Sequence, residues 1–297
     1  MNQPTLKQLR YFVALDENEH FGKAADSCFV SQSAFSVAIK ELEAQLGAQL
    51  VDRTNKHVTI TRIGRDVANH ARHCIRDVEY LTEIARSNQE SLTGRLNLGV
   101  IPTIAPFVLP SLMPELRRSY PDLQLYLREN TTQSIYAALM AGELDVILLA
   151  LPYKLSNVET CTLFKDHFLL ACHKDTNFLD PETDRSKHLP DESVLLLEDG
   201  HCLRDHALSA CQLQNQETVS RFAASSLYTL IEMVDSDIGI TYLTEMAKDS
   251  IILKHTDIRT YPLGDESYRE IGLAWRKGSA RSEEFQLLGE VIKSCQS

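Results

Sequence analysis

The chain has 297 residues, 43% hydrophobic and 24% charged, the length of two or three compact units and the composition of an ordinary globular protein. No run of about 18 apolar residues is present to cross a membrane. The first twenty residues carry acids and a helical pattern where an export signal would carry an apolar core, so the cytoplasm is the expected location. The formal net charge of −11 argues against binding nucleic acid over the whole surface, yet it is unevenly spread. Residues 1–90 hold eleven Lys/Arg against twelve Asp/Glu, the remainder nineteen against twenty-nine, so only the N-terminal third can approach phosphate without strong repulsion. Seven cysteines form no Cys-x-x-Cys pair, which removes the strongest zinc signature, and in the cytoplasm a fixed disulfide framework is not expected. No metal and no cofactor is implied.

In chain order, Leu6, Leu9, Tyr11 or Phe12, and Val13 sit at helical spacing, and a second short helix is predicted over Lys23–Cys28. Ser31 then stands as an N-cap for a helix over Gln32–Leu46, which Gly47 ends. That helix turns Phe35, Ile39, Leu42 and Leu46 one way and leaves Gln32, Ser33, Ser36 and Lys40 on the other side. Val51–Thr61 alternates like a small hairpin with Arg53, Lys56 and His57 at its turn. From Gly64 a helical pattern runs to about Ser91. Its Val67, Ala71, Cys74, Val78, Leu81 and Ala85 are spaced four and three by turns, the seam of a two-helix coiled coil. A partner chain is the economical cover for such a stripe.

Beyond Ser91-Leu-Thr-Gly94, read as a hinge, strands and helices interleave. Strands are predicted at Arg95–Ile101, Leu123–Arg128, Val146–Leu151, Cys161–His173, Val194–Leu197, Ile238–Leu243 and Arg269–Trp275. Helices are predicted after Ile101 to about Tyr120 and over Gln133–Met140, Leu203–Gln212, Ser226–Val234 and Glu283–Cys295. The alternation implies a parallel α/β sheet with ligand sites at strand ends.

A helix, a tight turn and a second helix opening on Ser-Gln-Ser suits insertion into the major groove: free N–H groups meet phosphate, and Gln can bond adenine. A plain helical hairpin in a core has the same spacing. The residues Phe21-Gly-Lys-Ala-Ala-Asp-Ser-Cys-Phe-Val-Ser-Gln-Ser-Ala-Phe-Ser-Val-Ala-Ile-Lys-Glu-Leu-Glu-Ala-Gln-Leu-Gly47, Leu50-Val-Asp-Arg-Thr54 and Thr61-Arg-Ile-Gly64 closely resemble the winged helix-turn-helix of LysR-type transcription regulators. Ser33, Phe35 and Val51 stand where the family commonly has proline, leucine and phenylalanine. The resemblance implies a winged helix-turn-helix over residues 1–62 and a dimerising linker helix over 63–91. It also implies a regulatory domain over 92–297 of two Rossmann-like lobes, like a periplasmic binding protein: lobe I at 92–164 and 270–297, lobe II at 165–269. The implied partners are double-stranded operator DNA, further copies of the chain as homodimer or homotetramer, and RNA polymerase. Gln32, Ser33, Ser36, Lys40, Arg53 and Lys56 are the candidate DNA contacts.

A second constellation is Leu197-Glu-Asp-Gly-His-Cys-Leu-Arg-Asp-His-Ala-Leu-Ser-Ala-Cys211. Cys202 follows a glycine turn and begins a helix, so free N–H groups and the helix dipole are expected to favour its thiolate, with His201 and Arg204 adding donors or positive charge. A cysteine at a helix start is also a common structural feature. The stretch Gly200-His-Cys-Leu-Arg-Asp205 with Cys211 resembles the hydrogen-peroxide-sensing members of the same family. That likeness implies oxidation of Cys202 to a sulfenic acid, its resolution by Cys211, and a peroxide pocket of Thr103, Thr132, Gly200, His201 and Arg276, with Arg204 and Asp205 in support. Thr103 and Thr132 can equally be read as helix N-caps, and Arg276 as a surface charge. Were the disulfide to form, the nine-residue separation, about 13 Å along a helix, would have to unwind, because bonded cysteines bring their Cα atoms within about 7 Å.

Two alternatives use the same residues differently. A LysR-type regulator of a small metabolite would hold Cys202 only as a pocket residue, and a thiol peroxidase would turn peroxide over without needing the winged helix or the seam.

Overall fold

The computed structural model describes residues 3–53, 58–86, 92–177, 189–210 and 216–296. The chain divides into two compact units, residues 1–90 with 140–143, and residues 91–139 with 144–297.

In the first unit α1 (Leu6–Asn18) opens on a reciprocal cap: Thr5 Oγ1 accepts from the Gln8 amide, and the Gln8 side chain accepts from the Thr5 amide. The His20 imidazole caps α2 (Phe21–Ser27) and the Ser31 hydroxyl caps α3 (Gln32–Leu46), which Gly47 ends at φ 64°. Phe12, Leu15, Ala24, Phe35, Ile39, Leu42 and Leu50 make the core. Phe35 stacks on Tyr11 at 5.1 Å and meets Phe21 edge-on. Leu46, expected on the core face, is exposed, because the core ends at Leu42. The wing is β1 (Val51–Arg53) paired with β2 (Val58–Ile60). Thr61 accepts the Gly64 amide, and a Cβ at Gly64 would collide with the Leu50 carbonyl oxygen, so close packing demands glycine there.

The helix α4 (Arg62–Arg86) packs its first half on α1 through Val67, Ala68 and Ala71, and Arg72 pairs with Asp16 at 2.6 Å. In its second half Cys74, Val78 and Leu81 are exposed. The seam residue Ala85 lies outside the described side chains.

The second unit starts with β3 (Gly94–Val100), α5 (Ala105–Ser119), β4 (Leu123–Glu129), α6 (Thr132–Met140) and β5 (Val146–Leu151), in which β3 runs parallel to both β4 and β5. The 16-residue β6 (Val158–His173) follows. Then come β7 (Val194–Leu197), α7 (Cys202–Ala210), β8 (Val219–Ala224), α8 (Leu227–Asp235), β9 (Thr241–Thr244), α9 (Glu245–Lys248), β10 (Ile258–Pro262), β11 (Tyr268–Arg276) and α10 (Ser282–Gln296). A seven-stranded sheet in the order β10-β6-β11-β5-β3-β4, with β9 also on β6, is mixed rather than parallel as expected. The reason is that β11 returns between β5 and β6 antiparallel to both. The strands β8 and β10 and the helix α9 were not anticipated.

Two apolar cores divide this unit. One gathers β3, β5, α5, Ile271, Trp275 and α10; the other gathers Phe168–Cys172, β7, α8 and Tyr242. The strand β6 crosses from one to the other. This second unit is a two-lobed α/β regulatory domain, and the first is a winged helix-turn-helix with a long helix.

Candidate redox site and DNA-reading helix

At the crossing, Arg269 on β11 and Asp166 on β6 are register partners, and both side chains are fully buried. Arg269 Nε donates to Asp166 Oδ2 at 2.9 Å, Nη1 to Thr103 Oγ1 at 3.1 Å, and Nη2 to the Thr103 carbonyl at 2.9 Å. The other Asp166 oxygen accepts the Met246 amide at the start of α9. Each charge thus faces its opposite and is further held by hydrogen bonds.

The loop from β7 to α7 is built by Gly200, at φ 100°, and by Arg204. Arg204 Nη1 donates to the Leu197 carbonyl at 3.1 Å, and its Nε pairs with Asp199 at 3.1 Å. The first turn of α7 then points Cys202 into the first core and Leu203 and Ala207 into the second, so one short helix bridges both lobes. Burial pushes the Cys202 thiol above its ordinary pKa; the Arg269 charge, the Thr132 hydroxyl and the Ala150 amide oppose this, and Asp205 adds to it. Desolvation therefore outweighs the helix-start effect expected from sequence. Thr132 Oγ1 is buried without a hydrogen-bond partner and lies near enough to the Cys202 sulfur to favour its thiolate.

One turn on, His206 Nε2 lies 3.0 Å from the Pro152 carbonyl oxygen, and burial holds the ring below the ordinary histidine pKa, so Nε2–H donates. Tyr153 is close enough to Cys202 for its phenol, already pushed up by burial, to be raised further by that sulfur.

The structure brings Cys202 and Thr132 together and ties Thr103 to them through Arg269. Neither threonine is a side-chain N-cap: Thr103 bonds Arg269, and at the start of α6 the hydroxyl of Thr131 meets Ser134. His201 is half-buried and Asp205 exposed. Arg276 does not belong to this cluster; its Nη1 donates to the Leu139 and Leu144 carbonyls at 2.7 and 2.6 Å, closing the end of α6. The guanidinium acting on Cys202 is that of Arg269, which sequence reasoning passed over. Its signal was an arginine inside an apolar strand, matched by a single aspartate inside another. Cys211 lies outside the described residues.

On α3, Gln32, Ser33 and Lys40 are exposed and Ser36 is half-buried. Lys56 and the side chain of Arg53 lie outside the described residues. Residues 6–65 match the model of the bacterial regulatory helix-turn-helix protein, lysR family, and residues 89–295 match the LysR substrate binding domain.

The chain is a LysR-type transcription regulator. As such it binds DNA, assembles with copies of itself and is not an enzyme. This regulator is 39% identical over 294 residues to the HTH-type transcriptional regulator EstR of Acinetobacter baylyi, covering 98% of the chain and 96% of that protein. It is 37% identical over 289 residues to the DNA-binding transcriptional dual regulator OxyR of Escherichia coli, covering 97% and 95%. Among solved structures it resembles a full-length OxyR variant from Pseudomonas aeruginosa, with a TM-score of 0.77, 33% identity and 99% of each chain covered. No helix among the described residues is long and apolar enough to cross a membrane.

Proposed function

We propose that this LysR-type regulator senses hydrogen peroxide through Cys202 and Cys211 and controls oxidative-stress genes. The observation that carries this reading is Cys202 at the first position of α7, packed in the first core, where burial favours the protonated thiol and the Arg269 charge, the Thr132 hydroxyl and the Ala150 amide offset part of that.

Peroxide enters beside Thr103, Thr132, Gly200 and His201. The Cys202 sulfur attacks one oxygen, an S–O bond forms as the O–O bond breaks, and the departing hydroxide takes up the thiol proton as water. The Cys211 thiolate then attacks the Cys202 sulfur, an S–S bond forms as the S–O bond breaks, and the departing hydroxide takes up the proton that the Cys211 thiol gave up, leaving as water. With α7 intact, Ala210 stands about 12 Å along the helix from Cys202. One further residue recovers at most about 3.8 Å, so the bond requires α7 to unwind. Unwinding withdraws Cys202 from the first core and Leu203 and Ala207 from the second, and so loosens the lobes from each other.

The units follow the division 1–62, 63–91 and 92–297. Dimers form along Val78 and Leu81 of α4, pair into tetramers, and place α3 and the wing, with Arg53 and Lys56, on double-stranded operator DNA. Oxidation changes the spacing of those pairs and with it the contact to RNA polymerase.

Replacing Cys202 and Cys211 singly with serine tests this reading. Each variant is expected to keep DNA binding and lose the peroxide-induced change in footprint. The second reading, a metabolite bound between the lobes, draws on the equal likeness to EstR, a regulator whose name carries no reference to peroxide; under it both variants keep their induced response.

A further inference from the structure

The hydrophobic face of α3 is Phe35, Ile39 and Leu42, all fully buried. At about 100° of turn per residue, Val37 lies within about 15° of the direction opposite that face. It is 55% exposed, between Ser33 four residues before it and Lys40 three after. Ser36, which sequence patterning puts on the polar side, is half-buried and lies nearer the flank. An exposed valine on a protein surface is unremarkable by itself. At the centre of the outward face of the DNA-reading helix it is informative, because the major groove presents one apolar feature, the C5-methyl of thymine, while every other base edge offers donors or acceptors that an alkyl group leaves unmet.

We propose that Val37 reads a thymine methyl in each operator half-site, as the apolar specificity determinant beside the polar contacts of Gln32 and Ser33. Lys40, one turn further, falls within reach of the flanking phosphates. Glu41 is exposed just beyond and keeps the rest of the helix from following the groove. The inference rests on α3 being the helix that enters the major groove.

The test takes a duplex selected from a random library by the reduced full-length protein, and replaces each thymine singly with deoxyuridine, which lacks only the methyl. Affinities are measured at one fixed salt concentration for wild type, Val37→Ala and Gln32→Ala. The expected result is one thymine per half-site where the exchange weakens wild type about fourfold, the factor matching ~0.8 kcal/mol for one buried methyl group. Val37→Ala, which favours the helix, is expected to lose that sensitivity at the same position while keeping the response to all others. Wild type and Val37→Ala responding alike at every thymine would overturn the inference, although a loss of binding in Gln32→Ala would still keep α3 as the reading helix. Unchanged binding in Gln32→Ala would remove the helix assignment and the inference together.

Discussion

Arg269 and Asp166 face each other across β11 and β6, fully buried, with Arg269 Nη2 2.9 Å from Asp166 Oδ2, at the point where β6 leaves one core for the other. The pair does more than join strands. Asp166 also holds the start of α9, and Arg269 holds Thr103 and places positive charge near Cys202. Lobe packing and thiol chemistry thus share one guanidinium.

Breaking this pair strands a buried charge. Asp166→Asn and Arg269→Met are each expected to destabilise the regulatory unit by about 3–5 kcal/mol. The single tryptophan, Trp275, is buried on β11, so its fluorescence during urea unfolding of the full chain reports this unit alone. A loss well under 1 kcal/mol in both variants would contradict the assignment.

Thr132 offers the closer test of thiol activation. Its hydroxyl is buried without a partner near the Cys202 sulfur and favours the thiolate, and a hydrogen bond formed to that charged acceptor contributes about 1.5–3 kcal/mol. Thr132→Val is expected to slow oxidation of Cys202 by peroxide at neutral pH about ten- to a hundredfold, whereas Thr132→Ser keeps most of the rate. Stopped-flow oxidation followed by thiol counting on Cys202 distinguishes the two.

The raised thiol pKa sets the pH dependence. Because burial favours the protonated form, the thiolate fraction keeps growing through and beyond the ordinary cysteine value of about 8.5. The oxidation rate of Cys202 is expected to climb with pH and not to level off near or below that value. A plateau at acidic or neutral pH would show a thiol activated more strongly than this site allows.

How much of this was legible in advance differs by element. The bounds of α3 and of β5 follow from Ser31, Gly47 and an unbroken apolar run, all local signals. The wing and the long helix are equally local. Strand direction is not: that β11 returns antiparallel between β5 and β6 depends on pairing over more than a hundred residues. The strand β8 carries an exposed Phe222, and β10 ends on Pro262, so neither shows clean alternation. At the site, Cys202 could be named from its setting and Thr132 only from the family resemblance. Arg269 could not be preferred to Arg276, since both are arginines in one strand and only the alternation of side chains across the formed sheet decides which turns toward Thr103. Burial was the other unreadable quantity, and it reversed the direction of the Cys202 shift.

His206 gives a second pH effect with the opposite trend. Its folded pKa is depressed, so the neutral ring stabilises the docked α7 above the unfolded value of about 6.5, and that stability is lost as pH falls toward the lower folded value. Exchange of the α7 amides is expected to accelerate on acidification in wild type. In His206→Gln, where no charge can form, the acceleration is expected to disappear.

Leu81 is exposed on α4, on the stripe along which the proposed dimer forms. Leu81→Asp is expected to shift the full chain toward monomer in sedimentation equilibrium and to weaken operator binding, with Trp275 emission unchanged. An undiminished oligomer would place the self-assembly surface elsewhere.

The most direct measurement is peptide mapping by mass spectrometry after treating the reduced protein with one equivalent of hydrogen peroxide and blocking free thiols. The expected product is a single crosslinked peptide joining Cys202 to Cys211, lost in either serine variant, with Cys28, Cys74, Cys161, Cys172 and Cys295 recovered as blocked thiols. Recovery of Cys202 and Cys211 as blocked thiols, or of Cys202 joined to a different cysteine, would contradict the proposed switch.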